Sequence, residues 1–256
     1  MSLQLYHYEP TANSMKPLLC LAEKGVEYES HYIDLHNFEQ HSERFVAVNP
    51  NGQVPVLVHD GAVITESTVI NEYLDEVFPA VRLVPEDPVL RARMRIWNKF
   101  VDEYFCPALS RIGWSVLIPK IAARLKSGEL EEALKNVPLE EQRRKWRTAA
   151  TESFTAEELA DSRRQVCVSI ERMEGLLRQS EWLACDDYSL ADVNTYSMVS
   201  GTARLIPEAM EKNPKAVAWL ERMSARPAVK AALATSRQAP PAEQSQQTAR
   251  QTAKGG

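Results

Sequence analysis

Two periods of apolar and polar positions follow one another along this chain, an alternating one up to about residue 80 and a helical one after it. Leu3 to Tyr8 reads as a short strand, with Glu9-Pro10-Thr11-Ala12 as the loop behind it. Asn13 and Ser14 are both residue types that cap helices, and Pro17 is tolerated in a first turn, where its missing N–H costs nothing. Leu18, Leu21 and Ala22 form a helical stripe that Gly25 ends. Val26 to Asp34 alternates as a second strand, and Glu39 to Val48 predicts a shorter helix. Val54 to Val58 is a third strand, His59-Asp60-Gly61 a hairpin turn, and Val63-Ile64 the return strand. Thr65-Glu66-Ser67 opens a helix whose predicted apolar face is Val69, Ile70, Tyr73, Leu74 and Val77, closed by Pro79.

From Asp87 onward the strand signals disappear. Asp87-Pro88 pairs an N-cap with proline at the first helical position. Leu90, Met94, Trp97, Val101 and Tyr104 then recur at helical spacing, and Pro107 is expected to kink or end that helix. Residues 118–155 are amphipathic and predict two short helices split at Pro138. A long helix spans about Ala156 to Gln179. Ser189-Leu190-Ala191-Asp192 resembles a capping box and opens a helix through Val199, which assigns Asp192 to capping rather than chemistry. Short helices follow at Lys215–Met223 and Ala228–Ser236. No internal repeat is visible, and Gln238 to Gly256 contains no Leu, Ile, Val, Met or aromatic residue, a composition that predicts disorder. The expected architecture is α/β plus all-α. A thioredoxin-like unit with a mixed sheet occupies 1–80, a helical bundle 87–236, and a tail 237–256.

Composition narrows the function. Thirty basic side chains against thirty-five acidic ones give a net charge of −5, which argues against a nucleic-acid binder. The nine glycines are about half of what average usage supplies, too few for an all-β sandwich or barrel. No apolar run approaches the roughly 20 residues of a membrane helix, and the N-terminus lacks a secretory pattern. Cys20, Cys106, Cys167 and Cys185 form no C-x-x-C pair and read as reduced cytosolic thiols. The five histidines (7, 31, 36, 41, 59) lack metal-ligand spacing, so no metal site is expected. Residues 1–80 carry three basic side chains against twelve acidic ones, and the rest 27 against 23. That asymmetry fits two units of different character.

Three short segments converge if this fold is right. Ala-Asn-Ser-Met-Lys-Pro (12–17) lies at the first strand-to-helix junction. Asn-Gly-Gln-Val-Pro-Val-Leu (51–57) places Pro55 at a strand start, which suggests a cis peptide and leaves the Val54 backbone free for an extended peptide. Glu66-Ser67 marks a helix N-terminus, a ready anion site. Together they describe a pocket for a short peptide carrying carboxylates and one reactive group held at Ser14. Asn13 competes with Ser14 for capping and for chemistry, and either hydroxyl of Tyr6 and Tyr8 is an alternative donor, though strand alternation makes them packing or pocket-wall residues. A thiol of pKa about 8.5 is mostly protonated at neutral pH. A hydroxyl donor and helix N-terminal amides favour its thiolate, with Lys16 as a further source of positive potential. Arg143-Arg144-Lys145-Trp146-Arg147 reads as a solvated helix face with one buried tryptophan.

The constellation resembles the glutathione S-transferase superfamily over residues 1 to about 236. The resemblance implies that glutathione is the co-substrate and that Val54 pairs with its cysteinyl backbone. Glu66 and Ser67 would hold the γ-glutamyl end, Gln40 and Gln53 the glycyl end, and Ser14, with Asn13, would serve the sulfur. Within the superfamily, Ala-Asn-Ser-Met-Lys-Pro, Phe-Glu-Gln-His (38–41), Thr-Glu-Ser-Thr-Val-Ile (65–70) and Val-Asp-Glu-Tyr-Phe-Cys (101–106) look like the bacterial β-aryl-etherases of lignin breakdown, more narrowly the β(S) type. That likeness implies an aromatic substrate. Tyr104, Trp114 and Trp146, placed after the kink and in the insertion, are candidates for its pocket, and a cytoplasmic homodimer is expected. Position 14 is not Cys, unlike the thiol-transfer classes, and position 40 is Gln where related serine-type transferases often carry His. The alternatives are a conjugating, dehalogenating or isomerising transferase, and a non-enzymatic binding protein of the same fold.

Overall fold

The computed structural model describes residues 2–126 and 128–237. Its sheet has the order β2-β1-β3-β4, built from β1 (Leu3–His7), β2 (Glu29–Tyr32), β3 (Val56–His59) and β4 (Ala62–Ile64). β1 pairs parallel with β2 and antiparallel with β3, with Leu5 opposite Leu57. The β3–β4 hairpin turns through Asp60 and Gly61, both at positive φ (47° and 86°), the conformation a two-residue hairpin needs. α1 (Ala12–Lys24) crosses between β1 and β2 and buries Met15, Leu18, Leu19 and Leu21. β2 is shorter than predicted because Val26 belongs to the end of α1, donating its N–H to Leu21 O at 3.2 Å. The expected helix at 39–48 is one 3₁₀ turn (Glu39–His41) and a single α-helical turn, α2 (Glu43–Val46), capped by Ser42; a further 3₁₀ turn, Leu35–Asn37, precedes them across Phe38 at φ 58°.

α3 (Ser67–Val77) buries Ile70 and Leu74 as predicted, yet exposes Val69 and Val77. Asn71 and Asp75 take their places in the interior because each finds partners there. Asn71 donates to Asn194 at 2.7 Å, while Asp75 accepts from Lys24 and from the Leu83 amide, both at 2.7 Å. A hydrophobic period cannot distinguish a paired buried polar residue from an exposed one.

In the helical half, α4 (Pro88–Phe100) is capped by Asp87, which accepts from the Val89 and Leu90 amides. Pro107 does not end the run. A π turn over Val101–Phe105 leads directly into α5 (Cys106–Ala122), so Pro107 falls in a first turn where no N–H is required of it. α6 (Glu129–Lys135) and α7 (Glu140–Arg147) flank Pro138, followed by α8 (Ala156–Leu177) and α9 (Leu190–Leu205). α10 (Glu208–Glu211) is an unpredicted turn before α11 (Pro214–Ala225) and α12 (Pro227–Leu233). Asp192 closes the capping box of α9 and also accepts from Trp219 Nε1 at 2.8 Å. Burial pushes its carboxyl up to about 6 against those hydrogen bonds.

One continuous core runs from Leu5 in the sheet through α1 to Trp219. α1 packs on α3 within its own half and on α9 and α12 of the other. Glu23 ties the halves together, accepting from Arg226 at 2.7 and 3.0 Å and from Tyr188 at 2.9 Å. A smaller separate core holds Ile118, Ile121, Leu134, Val137, Trp146 and Ala149 and supports the 118–155 insertion. Arg237, assigned to the tail from the sequence, is instead anchored: its N–H reaches Glu9 at 3.2 Å and its guanidinium lies 4.3 Å from the Tyr32 ring centre. The rest of the expected disordered tail lies outside the described residues.

Candidate active site

A cleft of about 560 Å³ opens where the N-terminal ends of α1 and α3 and the start of β3 meet α5 and α7. Asn13, Ser14, Gln40, Gln53, Val54, Glu66, Ser67, Trp114 and Trp146 all line it. Thr11, not Asn13 or Ser14, precedes α1, so both candidates sit inside its first turn rather than at the cap. Ser14 is nearly buried, and its oxygen accepts the Tyr8 N–H at 3.1 Å. With a lone pair engaged there, its proton is the part left to offer the cleft. Asn13 Oδ1 accepts from the Cys106 thiol at 3.7 Å.

Val54-Pro55 is cis, as expected, and Val54 makes no backbone hydrogen bond among the described residues. Its peptide edge therefore faces the cleft unpaired. Glu66 precedes α3 at φ 64°, a conformation that costs a non-glycine residue about 1–3 kcal/mol. It presents an exposed carboxylate beside the first-turn amides of α3 and the Ser67 hydroxyl. An ammonium suits the carboxylate, and a carboxylate suits the amides. At the other end of the floor, Gln40 Oε1 and both ring nitrogens of His41 are buried without a partner. Burial pushes His41 down to about 4, so it is neutral at physiological pH. Gly52, at φ 61°, lets this corner close, since a Cβ there would stand 2.7 Å from His41 Nδ1. Sequence reasoning missed His41; the signal was its place in the same Phe-Glu-Gln-His run as Gln40.

Three sequence readings are corrected. Lys16 does not supply free positive potential. It is fully buried, and its ammonium is neutralised by Asp102 at 2.6 Å, which also accepts from Thr68 at 2.7 Å. Tyr104 does not line the cleft but stacks on Phe100 at 5.2 Å. Asp102, Cys106, Ser110 and Trp114 line it at successive intervals of four, and Tyr104, two residues from Asp102, falls on another side. Lys145 was read as part of a solvated face, yet it lines the cleft with Trp146. Trp114 and Trp146 pack at 5.1 Å, and Phe38 meets Trp146 at 4.8 Å, making an aromatic wall in the same cleft as the polar floor. Tyr8 also lines the cleft, its hydroxyl 3.0 Å from His36 Nε2, whereas Tyr6 stacks on His31 outside it. Among the described residues no cluster of His, Cys, Asp and Glu could hold a metal ion, and no helix is long and apolar enough to cross a membrane.

A thioredoxin-like sheet with an unpaired edge at a cis proline, joined to an all-helical half, defines a class, and the chain belongs to it. The N-terminal domain of glutathione S-transferase matches residues 1–76 and the C-terminal domain residues 105–227, so this is a member of the glutathione S-transferase family. Among its relatives, Protein LigF of Sphingobium sp. (strain NBRC 103272 / SYK-6) is 48% identical over 240 residues, covering 90% of this chain and 92% of that one. The crystal structure of beta-etherase LigF from Sphingobium sp. strain SYK-6 superposes with a TM-score of 0.88 at 47% identity, over 92% of this chain and 100% of the other. Glutathione transferase F7 from Populus trichocarpa, at 24% identity, shares the fold with a TM-score of 0.69 over 90% of this chain and 97% of its own.

Proposed function

We propose that this chain is a glutathione-dependent β-aryl-etherase. The thiolate of glutathione attacks the carbon beside a ketone and displaces a phenolate, leaving a glutathione thioether. The observation that carries the reading is the near full-length similarity to LigF. The cleft supports it with a peptide-binding floor and an aromatic wall suited to a two-ring substrate.

The floor binds and ionises glutathione. Val54 pairs with the cysteinyl backbone; Glu66 and Ser67 take the γ-glutamyl end; Gln40 and Gln53, joined by neutral His41, take the glycyl end. Ser14 donates to the sulfur, with Asn13 beside it, and a hydrogen bond to the charged form favours the thiolate. Positioning does the rest, since displacement needs the sulfur, the carbon and the leaving oxygen in line. Residues 1–80 form the glutathione-binding unit and 87–236 the unit that binds the aromatic substrate, a product of lignin breakdown. The β(S) ether is the form consumed. The protein works as a cytoplasmic homodimer. The cysteines standing as free thiols support the compartment. The dimer is supported by two exposed apolar side chains, Val69 on α3 (55% exposed) and Ile96 on α4 (62% exposed), on helices linked by Arg95 and Glu72 at 2.7 Å. Incubation with glutathione and a racemic β-aryl ether ketone, read by mass spectrometry, tests the reading. Free phenol and a glutathione thioether are expected in equal amounts; conjugation of simple aryl halides with no phenol released from the ether would make this a general conjugating transferase.

A further inference from the structure

The basic run on α7 is not uniform. Arg143 pairs with Glu140 at 3.0 Å and Arg147 with Glu131 at 2.9 Å. Lys145, between them, reaches no carboxylate among the described residues. Its ammonium lies instead 4.3 Å from the centre of the Trp114 ring, a cation held over an aromatic face. Among the described residues it is the only lysine or arginine that lines the cleft. The described residues give the cleft three carboxylates: Asp102 is committed to Lys16 and Thr68, Glu66 lies at the floor beside α3, and Glu141 stands one turn before Lys145 on α7 without a salt bridge to it. Burial lowers the affinity of Lys145 for its proton; Arg111 adds to that effect, and Cys106 and Glu141 oppose it.

We propose that Lys145 is a catalytic residue of the ether cleavage, the counter-ion and proton donor for the phenolate oxygen as it departs. The assignment rests on the etherase reading given above. Ser14 and Asn13 hold the sulfur at the floor, so an in-line displacement sends the leaving oxygen toward the helical wall that carries Lys145. As the sulfur–carbon bond forms, the carbon–oxygen bond breaks and its electron pair stays on oxygen, which takes the ammonium proton. The amine then regains a proton from water, the pool that received the thiol proton when glutathione ionised. Burial makes the Lys145 ammonium a stronger acid than an ordinary lysine, which favours its giving a proton to the oxygen of a simple phenol, whose pKa is about 10.

Lys145→Met and Lys145→Arg, assayed on ether ketones that release phenols of different acidity, test the proposal. The methionine variant should lose on the order of 100-fold in kcat when the leaving group is a methoxyphenol, and only a few-fold with a nitrophenol, which needs no proton. KM for glutathione should not move. Arginine keeps the charge without giving up a proton and should recover part of the loss. An independent reading uses 4-nitrophenol bound in the cleft: the wild type should favour its yellow anion, and the methionine variant should not. Equal loss for both leaving groups, or an unaltered nitrophenol spectrum, overturns the role of Lys145 while leaving the etherase reading intact. A wild type that releases no phenol from any ether overturns both.

Discussion

The floor and the wall of the cleft are built on opposite principles. The floor uses backbone edges and short side chains at element junctions. Ser14 sits in the first turn of α1, Val54 before a cis proline and Ser67 at the start of α3, each held by the large continuous core. The wall uses long side chains: Lys145 and Trp146 stand on α7 over a small core of its own, while α5, which carries Trp114, contributes to both cores. Rigid junctions suit a co-substrate that never changes. The α7 part of the wall, supported by the small core, can vary its aromatic and charged groups with least disturbance to glutathione binding.

Removing the centre of the small core gives the sharpest break. Trp146→Ala should destabilise the insertion by about 3–5 kcal/mol. Hydrogen exchange should rise across the residues around α6 and α7 while α1 and the sheet stay protected, and ether turnover should collapse with glutathione affinity retained. Uniform loss of protection would show that wall and floor are one unit.

The next effect is linked to pH and belongs to the floor. His41 is neutral in the folded protein down to about pH 4, whereas an unfolded histidine takes up its proton near 6.5. A depressed folded pKa contributes stability above pH 6.5 that is lost as pH falls through 4. The shift corresponds to roughly 3 kcal/mol. Urea unfolding at pH 7 and pH 4 should therefore show a larger acid loss for the wild type than for His41→Gln.

Ser14→Ala should cost about 1.5–3 kcal/mol, the value of a hydrogen bond to a charged group. Thiolate absorbance of bound glutathione should titrate at higher pH, and the Asn13→Ala, Ser14→Ala double variant should go further than either single one. Glu66→Gln should have the smallest effect. Its carboxylate is exposed, and such a pair contributes about 0.2–1 kcal/mol, a weakening of glutathione binding that calorimetry resolves.

The same contrast explains what could be read from the sequence. Ser14, Val54-Pro55 and Glu66-Ser67 are legible because local rules for turns, prolines and helix starts place them, and the strand order brings them together. Lys16 was misjudged because its partner Asp102 lies 86 residues away, beyond any local rule. Asn71 and Asp75 displaced Val69 and Val77 from the buried face of α3 for the same reason. Tyr104 depended on which side of a π turn it fell, and Lys145 on which face of α7 met Trp114. A basic run gives no sign of which of its members is turned inward.

The central claim is that the glutathione thiolate displaces a phenolate at a carbon held between this floor and this wall. Chiral chromatography of a racemic β-aryl ether ketone, followed through to the thioether, tests it most directly. The β(S) ether should be consumed until half the material remains, with one phenol released per thioether and the configuration at the carbon inverted. Equal loss of both enantiomers, a thioether of retained configuration, or phenol without thioether would contradict the account.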